Sequence, residues 1–420
     1  MKPRLAPASA LAAVAALALA SCSSGGGSDA EATTTTVIAA KVGKPATVAT
    51  TAHTPYNLST SAGGDVLAVA WNDYDEDAGT EAPMVAVSTD GGESFGKPVA
   101  LDPDDPYVAY PQVAVTDDGD VYVGVTLYED GEEDGRPGLY RSTDEGASFE
   151  LVADLDDAPR VSFTIVGTTV AVSPDGEQVV MGWTTPGANG TAGALYGAVS
   201  ADGGTTFADP VELDPVAGAG RPRAYAGSGG SGVASVVAVP LANAPKPTPA
   251  NPNPVTSSPK VELFEVQGAG FGEGVPLTST DEPAADEGPG AAGTDGDPVV
   301  AWWLAEKGGA SLVGAEVAGK DVAPVALLPK ALEVPSPIDV AVDQDGTWWV
   351  ATLEAPVGDG SDPAPLALVA VADGADPKVV EGVDPTVTRS AEEFDVTALP
   401  DGGAFVVWFD GEAVKAQSVR

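Results

Sequence analysis

One unit recurs along this chain and limits what it can fold into: a short strand, a turn closed by glycine, then a second and very apolar strand. Clear copies read A-V-T-D-D-G-D-V-Y-V-G-V (114–125), A-V-S-P-D-G-E-Q-V-V-M-G-W (171–183), A-V-D-Q-D-G-T-W-W-V-A-T (341–352) and V-T-A-L-P-D-G-G-A-F-V-V-W-F (396–409). Looser copies stand at 62–71, 227–239 and 293–303. From Val37 onward there is almost no helical period, and short apolar runs between Asp-Gly and Pro turns specify strands. About seven copies, spaced by roughly 40 to 70 residues, fall in the range of propeller blades. The pattern predicts an all-β chain, a β-propeller of four-stranded blades, seven by this count with six as the alternative. The last unit offers strands at Phe394–Leu399, Ala404–Phe409 and Ala413–Val419 but no fourth, whereas Val37–Ala49 reads as the end of a blade without its beginning. The N-terminal segment is therefore expected to supply the outer strand of the last blade and so close the ring.

A second unit follows the first in three blades: V-S-T-D-G-G-E-S-F (87–95), R-S-T-D-E-G-A-S-F (141–149) and V-S-A-D-G-G-T-T-F (199–207). Its spacing has a physical reason. Asp90, Asp144 and Asp202 are placed to accept hydrogen bonds from turn amides, with Ser88, Ser142 and Ser200 two residues earlier. Gly92, Gly146 and Gly204 permit positive φ, and Phe95, Phe149 and Phe207 can pack beneath the turn. The three strings closely resemble the Asp-box, or BNR repeat, of sialidase-like propellers. They are expected on the lower rim, with the Asp-Gly turns, as structural turns.

The chain opens with Met1-Lys2-Pro3-Arg4 and an Ala-, Leu- and Val-rich run to Ala20, the pattern of a secretory signal and short for a membrane span. Leu19-Ala20-Ser21-Cys22 resembles a bacterial lipobox. The resemblance implies a signal peptide at 1–21, lipidation of Cys22 and a protein held at the outer face of the cell membrane or in the cell envelope. Several acyl chains hold a protein there stably, at about 0.8 kcal/mol per buried methylene. Residues 22–36 read as a flexible polar tether and 37–420 as the propeller domain. Within that domain a Pro-rich loop is expected at 243–259, and an acidic connection without core residues at 281–297. Cys22 is the only cysteine, which excludes disulfides and thiolate chemistry from the folded body. With 62 acidic and 19 basic side chains the formal net charge is −43, which excludes nucleic acid as a partner. The hydrophobic share of 43% argues against disorder.

Antiparallel blades put the first-to-second and third-to-fourth turns on the lower rim, and the remaining connections on the upper. The upper face is expected to carry Asp73, Tyr107, Tyr110, Arg160, Arg221, Arg223, Tyr225, Arg389, Glu392 and Glu393, with His53, Tyr56, Asp75 and Asp395 beside them. So many carboxylates and tyrosines suit a sugar or a cation. The sialidase resemblance implies three arginines on a substrate carboxylate, drawn from Arg160, Arg221, Arg223 and Arg389, and a Tyr/Glu pair, drawn from Tyr225, Glu392 and Glu393. The Phe/Tyr-Arg-Ile-Pro motif of those enzymes is missing; the nearest string is Ala158-Pro159-Arg160-Val161. Asn72 to Gly79 holds Asp73, Asp75 and Asp77 at the spacing of a calcium loop, but its glycine comes one place late and no bidentate glutamate follows. Calcium is thus the one cation the sequence suggests, and no cofactor is required. His53 is the only histidine, which excludes a multi-histidine metal site. The seven tryptophans are expected to pack between blades. The leading reading is a monomeric surface-anchored binding module for a glycan or an envelope protein. The alternatives are an exported sialidase-like glycoside hydrolase and an envelope assembly or scaffold factor.

Overall fold

The computed structural model describes residues 37–38, 41–51, 53–75, 77, 80–101, 108–128, 135–161, 167–187, 192–217, 221–240, 257–279, 283–285, 288–319, 322–332, 336–353, 364–372, 374–383, 386–387 and 394–420. Every regular element among them is a strand. β1 (Val37–Ile38) and β2 (Ala46–Thr50) come first. Blade one is β3 (Thr54–Gly63), β4 (Val66–Asp75), β5 (Thr80–Ser88) and β6 (Val99–Ala100). Blade two is β7 (Val108–Val115), β8 (Val121–Leu127), β9 (Arg136–Ser142) and β10 (Glu150–Asp154). Blade three is β11 (Thr169–Val172), β12 (Val179–Pro186), β13 (Ala192–Ser200) and β14 (Val211–Asp214). Blade four is β15 (Arg223–Gly227), β16 (Gly230–Pro240) and β17 (Ser257–Gln267), with β18 (Gly270–Phe271) and β19 (Val275–Pro276) sharing its outer edge. Blade five is β20 (Gly290–Ala292), β21 (Val299–Glu306), β22 (Gly309–Glu316) and β23 (Val325–Ala326). Blade six is β24 (Asp339–Val342), β25 (Trp348–Leu353), β26 (Ala364–Val371) and β27 (Lys378–Val380), with β28 (Thr386–Val387) also on β26. β29 (Phe394–Ala398), β30 (Ala404–Phe409) and β31 (Ala413–Val419) begin blade seven.

The fourth strand of blade seven is β2, antiparallel to β31 with Thr47 beside Lys415 and Thr50 beside Ala413. The N-terminal segment thus closes the ring, as the unpaired ends of the sequence require. It also lays β1 parallel along β27, on the outer edge of blade six.

Burial follows the ring. One apolar cluster lies between each pair of consecutive blades, and the pair seven and one is joined like the rest: Val48, Phe405 and Val407 meet Leu58, Val69 and Trp71. Strands packed on both faces must be apolar throughout, which is why the second strand of each unit is a continuous hydrophobic run. β8 is buried along its whole length. Trp71, Trp183, Trp302 and Trp303 are fully enclosed between blades, Trp349 and Trp408 nearly so, and Trp348 is half-buried.

Two loop expectations change. The stretch 281–297 is not free of core: it contains β20, the inner strand of blade five, and Ala284 is 1% exposed against Val300 and Trp302. Small residues (Gly290, Ala291, Ala292) fill a narrow inner position, and so carry no hydrophobic signature in the sequence. The end of the Pro-rich stretch, 257–259, belongs to β17; residues 241–256 lie outside the described residues.

Candidate functional site at the upper mouth of the channel

The inner strands β3, β7, β11, β15, β20, β24 and β29 surround the central channel and run from the upper rim to the lower. The interblade bonds and the turn glycines align one equivalent position per blade. It holds Ser59, Gln112, Thr169, Arg223, Pro289, Asp339 and Asp395. Six of these seven residues are polar or charged.

Part of this polarity serves the strand edges. An inner strand has one edge without a neighbour in its own sheet, and its N–H groups need acceptors. The preceding blade supplies them. Ser59 Oγ accepts from Val113 N at 3.0 Å, Ser61 Oγ from Val115 N at 3.0 Å, and Thr169 Oγ1 from Ala224 N at 2.9 Å. Asp395 does the same across the closure between blades seven and one, its Oδ2 accepting from Thr60 N at 2.5 Å.

The charged members reach across the channel. Arg223 of blade four sets Nη2 2.9 Å from Asp339 Oδ1 of blade six, skipping blade five. Asp339 is hydrogen-bonded in turn to Asp395. Burial, and then the neighbouring Asp339 carboxylate, push the Asp395 carboxyl well above the ordinary carboxylate range, and the Arg223 guanidinium offsets this only in part. The shift favours the protonated form of Asp395, which can donate to Asp339. Two residues before Arg223, Arg221 donates to the side-chain oxygen of Asn57 in blade one. Arginine suits these spans, being long, always charged and several-fold donating.

Blades one and two carry the irregular part of the mouth. The β3–β4 register shifts between Tyr56 and Ser59, and the β7–β8 register between Ala109 and Gln112. Inside these bulges Asn57 (φ 56°) and Tyr110 (φ 57°) adopt the left-handed conformation, which costs a non-glycine residue about 1 kcal/mol or more. The bulges re-aim side chains. Asn57 Nδ2 donates to Pro111 O at 3.1 Å, and Asn72 Oδ1 accepts from Tyr110 N at 3.1 Å. The Tyr56 and Tyr110 rings meet edge-on at 6.2 Å, and the Tyr56 phenol bonds Glu81. Burial, then the Glu81 carboxylate, raise the Tyr56 phenol far above its ordinary value, so it acts as a neutral donor.

The expected upper-face residues thus divide. Arg221, Arg223, Tyr56, Tyr110 and Asp395 gather at the mouth. Asp73 lies at the outer upper end of blade one, where Oδ1 accepts from Thr51 Oγ1 at 2.6 Å and Oδ2 lies 2.9 Å from His53 Nδ1. Asp75 is 3.5 Å from His53 Nε2 and accepts from Asp77 N. Asp73 and Asp75 both lie against His53, and among the described residues no group of three His, Cys, Asp or Glu is placed to hold a metal. Arg160 is exposed on the connection between blades two and three, with no hydrogen bond or ion pair to a described residue. Tyr225 corrects the expectation: it is 2% exposed, packed between blades four and five with Val236, Val300 and Trp302, and its phenol faces no ligand space. It shares a strand side with Arg223, but two residues further down that side faces the core. Cys22, Tyr107, Arg389, Glu392 and Glu393 lie outside the described residues. Asn57, Asn72, Glu81 and Asp339 belong to the mouth without having been singled out.

The three serine–aspartate strings lie at the opposite end, between third and fourth strands, and form the same turn. In the first, Ser88 Oγ donates to Asp90 Oδ1 at 2.7 Å, and Asp90 accepts from Ser94 N at 2.9 Å and Ser94 Oγ at 2.5 Å. These bonds hold the Asp90 and Asp144 carboxyls down at about 2, chiefly through Ser94 and Ser148. Gly92, Gly146 and Gly204 have positive φ, and each packs on the blade before it, against Phe405, Val87 and Leu139 in turn. Phe95, Phe149 and Phe207 pack beside them in the interblade clusters. The serine and aspartate side chains that define the motif are bonded within their own turns, which gives it a structural role.

Comparison with solved structures returns propellers. An ulvan lyase of polysaccharide lyase family PL25, bound to -[GlcA(1-4)Rha3S]-, aligns over 88% of this chain and 94% of its own, with 15% identity and a TM-score of 0.55. An α-L-arabinanase from Penicillium chrysogenum, complexed with arabinobiose, aligns over 90% of this chain and 98% of its own, with 10% identity and a TM-score of 0.50. At such identities the likeness establishes the fold. No protein-family model and no curated protein sequence matches the chain.

Proposed function

We propose that this chain is a surface-anchored lipoprotein whose propeller binds a glycan at the upper mouth of its channel. The observation that carries the reading is the polar set at that mouth: two arginines spanning the ring, a carboxyl pair, two tyrosines and buried amides, in a chain with only 19 basic residues. Saccharides are recognised by such convergent donors and acceptors beside aromatic faces. Propellers of the same fold hold saccharides, GlcA-Rha3S in the ulvan lyase and arabinobiose in the arabinanase, and this supports the assignment. Binding is preferred to sialidase-type hydrolysis because Tyr225, the tyrosine expected to act as nucleophile, is enclosed in the core.

Calorimetric titration with uronate-containing and neutral oligosaccharides tests the reading. Arg221→Ala is expected to weaken binding tenfold or more, while Arg420→Ala on the lower rim leaves it unchanged. Equal losses in the two variants, or no binding to any saccharide, would reject it.

A further inference from the structure

We infer that the lower rim of the propeller is the side turned toward the lipid bilayer and that the upper mouth is presented outward. The inference rests on the lipid-anchor reading of Cys22 and adds an orientation to it.

Chain direction is the first ground. Fourth strands run from the lower rim to the upper, so β27 climbs. β1 is parallel to β27, Val37 beside Val379 and Ile38 beside Val380, so it climbs too. The body is therefore entered from the lower side. The next segment is independent of β1 and agrees with it. Lys41 N donates to Arg420 O at 2.7 Å, Arg420 N to Lys41 O at 3.1 Å, and Gly43 N to Ser418 O at 2.8 Å. Arg420 follows β31, a third strand, which descends; the clasp that fixes the N-terminal segment is at the lower rim.

Length is the second ground. Residues 23–36, fourteen in number, are rich in Gly, Ser and Thr. Such a chain has a root-mean-square reach of about 20 Å. A long blade strand such as β4, with 10 residues, spans about 33 Å. Facing the mouth to the membrane would require the tether to run the height of a blade, well beyond its mean reach. Attachment at the lower rim leaves the mouth farthest from the lipid. The lower turns carry exposed carboxylates, Asp65, Asp90, Asp118, Asp144 and Asp401 among them, so this rim stands off from anionic headgroups instead of adhering to them.

The test uses the full acylated chain in phosphatidylcholine vesicles containing a rhodamine-labelled lipid. With Cys22 acylated, an introduced cysteine is the only thiol. A donor dye is attached to Asp118→Cys, in the lower β7–β8 turn, or to Lys307→Cys, in the upper β21–β22 turn. Energy transfer to the membrane is expected to be clearly stronger from position 118. Equal transfer, or stronger transfer from position 307, overturns the orientation while leaving the anchor standing. If the chain does not sediment with vesicles, and Cys22→Ala behaves identically, the anchor reading fails and the orientation falls with it.

Discussion

Gly92 and Gly91 are adjacent, both with positive φ, yet a side chain would meet different surroundings at each. A Cβ on Gly91 meets nothing within 4 Å, whereas one on Gly92 presses into the Phe405 ring of blade seven. Gly91→Ala should therefore cost only backbone strain, about 1 kcal/mol, and Gly92→Ala about 2 to 4 kcal/mol in urea unfolding. Equal costs would mean that the turn does not brace the neighbouring blade. Asp395 makes a prediction in pH. Its carboxyl holds a proton in the fold that it releases near 3.9 when unfolded, so the native state loses stability as pH rises above that value. Asp395→Asn keeps an acceptor for Thr60 N and a donor for Asp339, gives up the bond from Val396 N, and carries no titrating proton. Relative to the parent it should gain stability with rising pH, by of order 1 kcal/mol per pH unit at the steepest. A difference that stays flat from pH 4 to 9, read by thermal unfolding, would contradict this. The same residues mark how far the site was legible. Arg221, Arg223 and Asp395 are placed on the upper face by counting strands alone. Asp339 escapes, although Ile338-Asp339-Val340 and Phe394-Asp395-Val396 repeat one pattern at the start of successive inner strands. Aligning the units on their turn glycines exposes it. Tyr225 is misplaced because a rim residue and a core residue two apart share one side of a strand, and only packing separates them.

At the scale of the element, the serine–aspartate turns and the closing strand behave as the sequence implies, for local reasons. The turn motif satisfies its own polar groups, so its geometry is written within nine residues. Its carboxyls have depressed values, about 2 at Asp144, so their contribution is complete above the ordinary carboxylate range and is lost as pH falls through about 2. Asp144→Ala should destabilise the protein at pH 7 and by clearly less near pH 1.5, which circular dichroism can follow. The closing strand is legible because an incomplete blade at each end of a chain has one resolution. β1, β20 and β28 were not legible: each is two or three residues long and without alternation, and gains its strand character from a neighbour. Removing residues 37–50 strips the outer strand of blade seven, leaves the outer edge of β31 without a partner and uncovers the cluster around Phe405 and Val407. The truncated chain should aggregate or elute as oligomers in size-exclusion chromatography, where the full body elutes as one species. A monomer of unchanged melting temperature would show that ring closure contributes nothing.

For the whole molecule, seven interblade clusters and one closing strand make a rigid wheel, and rigidity lets opposite sides of a channel hold one polar network. Arg221, just before β15, and Arg223, its first residue, reach blades one and six, and ring closure sets those partners across the channel. Hydrogen exchange with and without a bound saccharide tests most directly whether this mouth is the binding face. Protection is expected at the upper ends of β3, β7 and β15, around Tyr56, Tyr110 and Arg223, with the lower turns at Asp90, Asp144 and Asp202 unchanged. Protection confined to those lower turns or to the outer strands would place the ligand elsewhere and contradict the account.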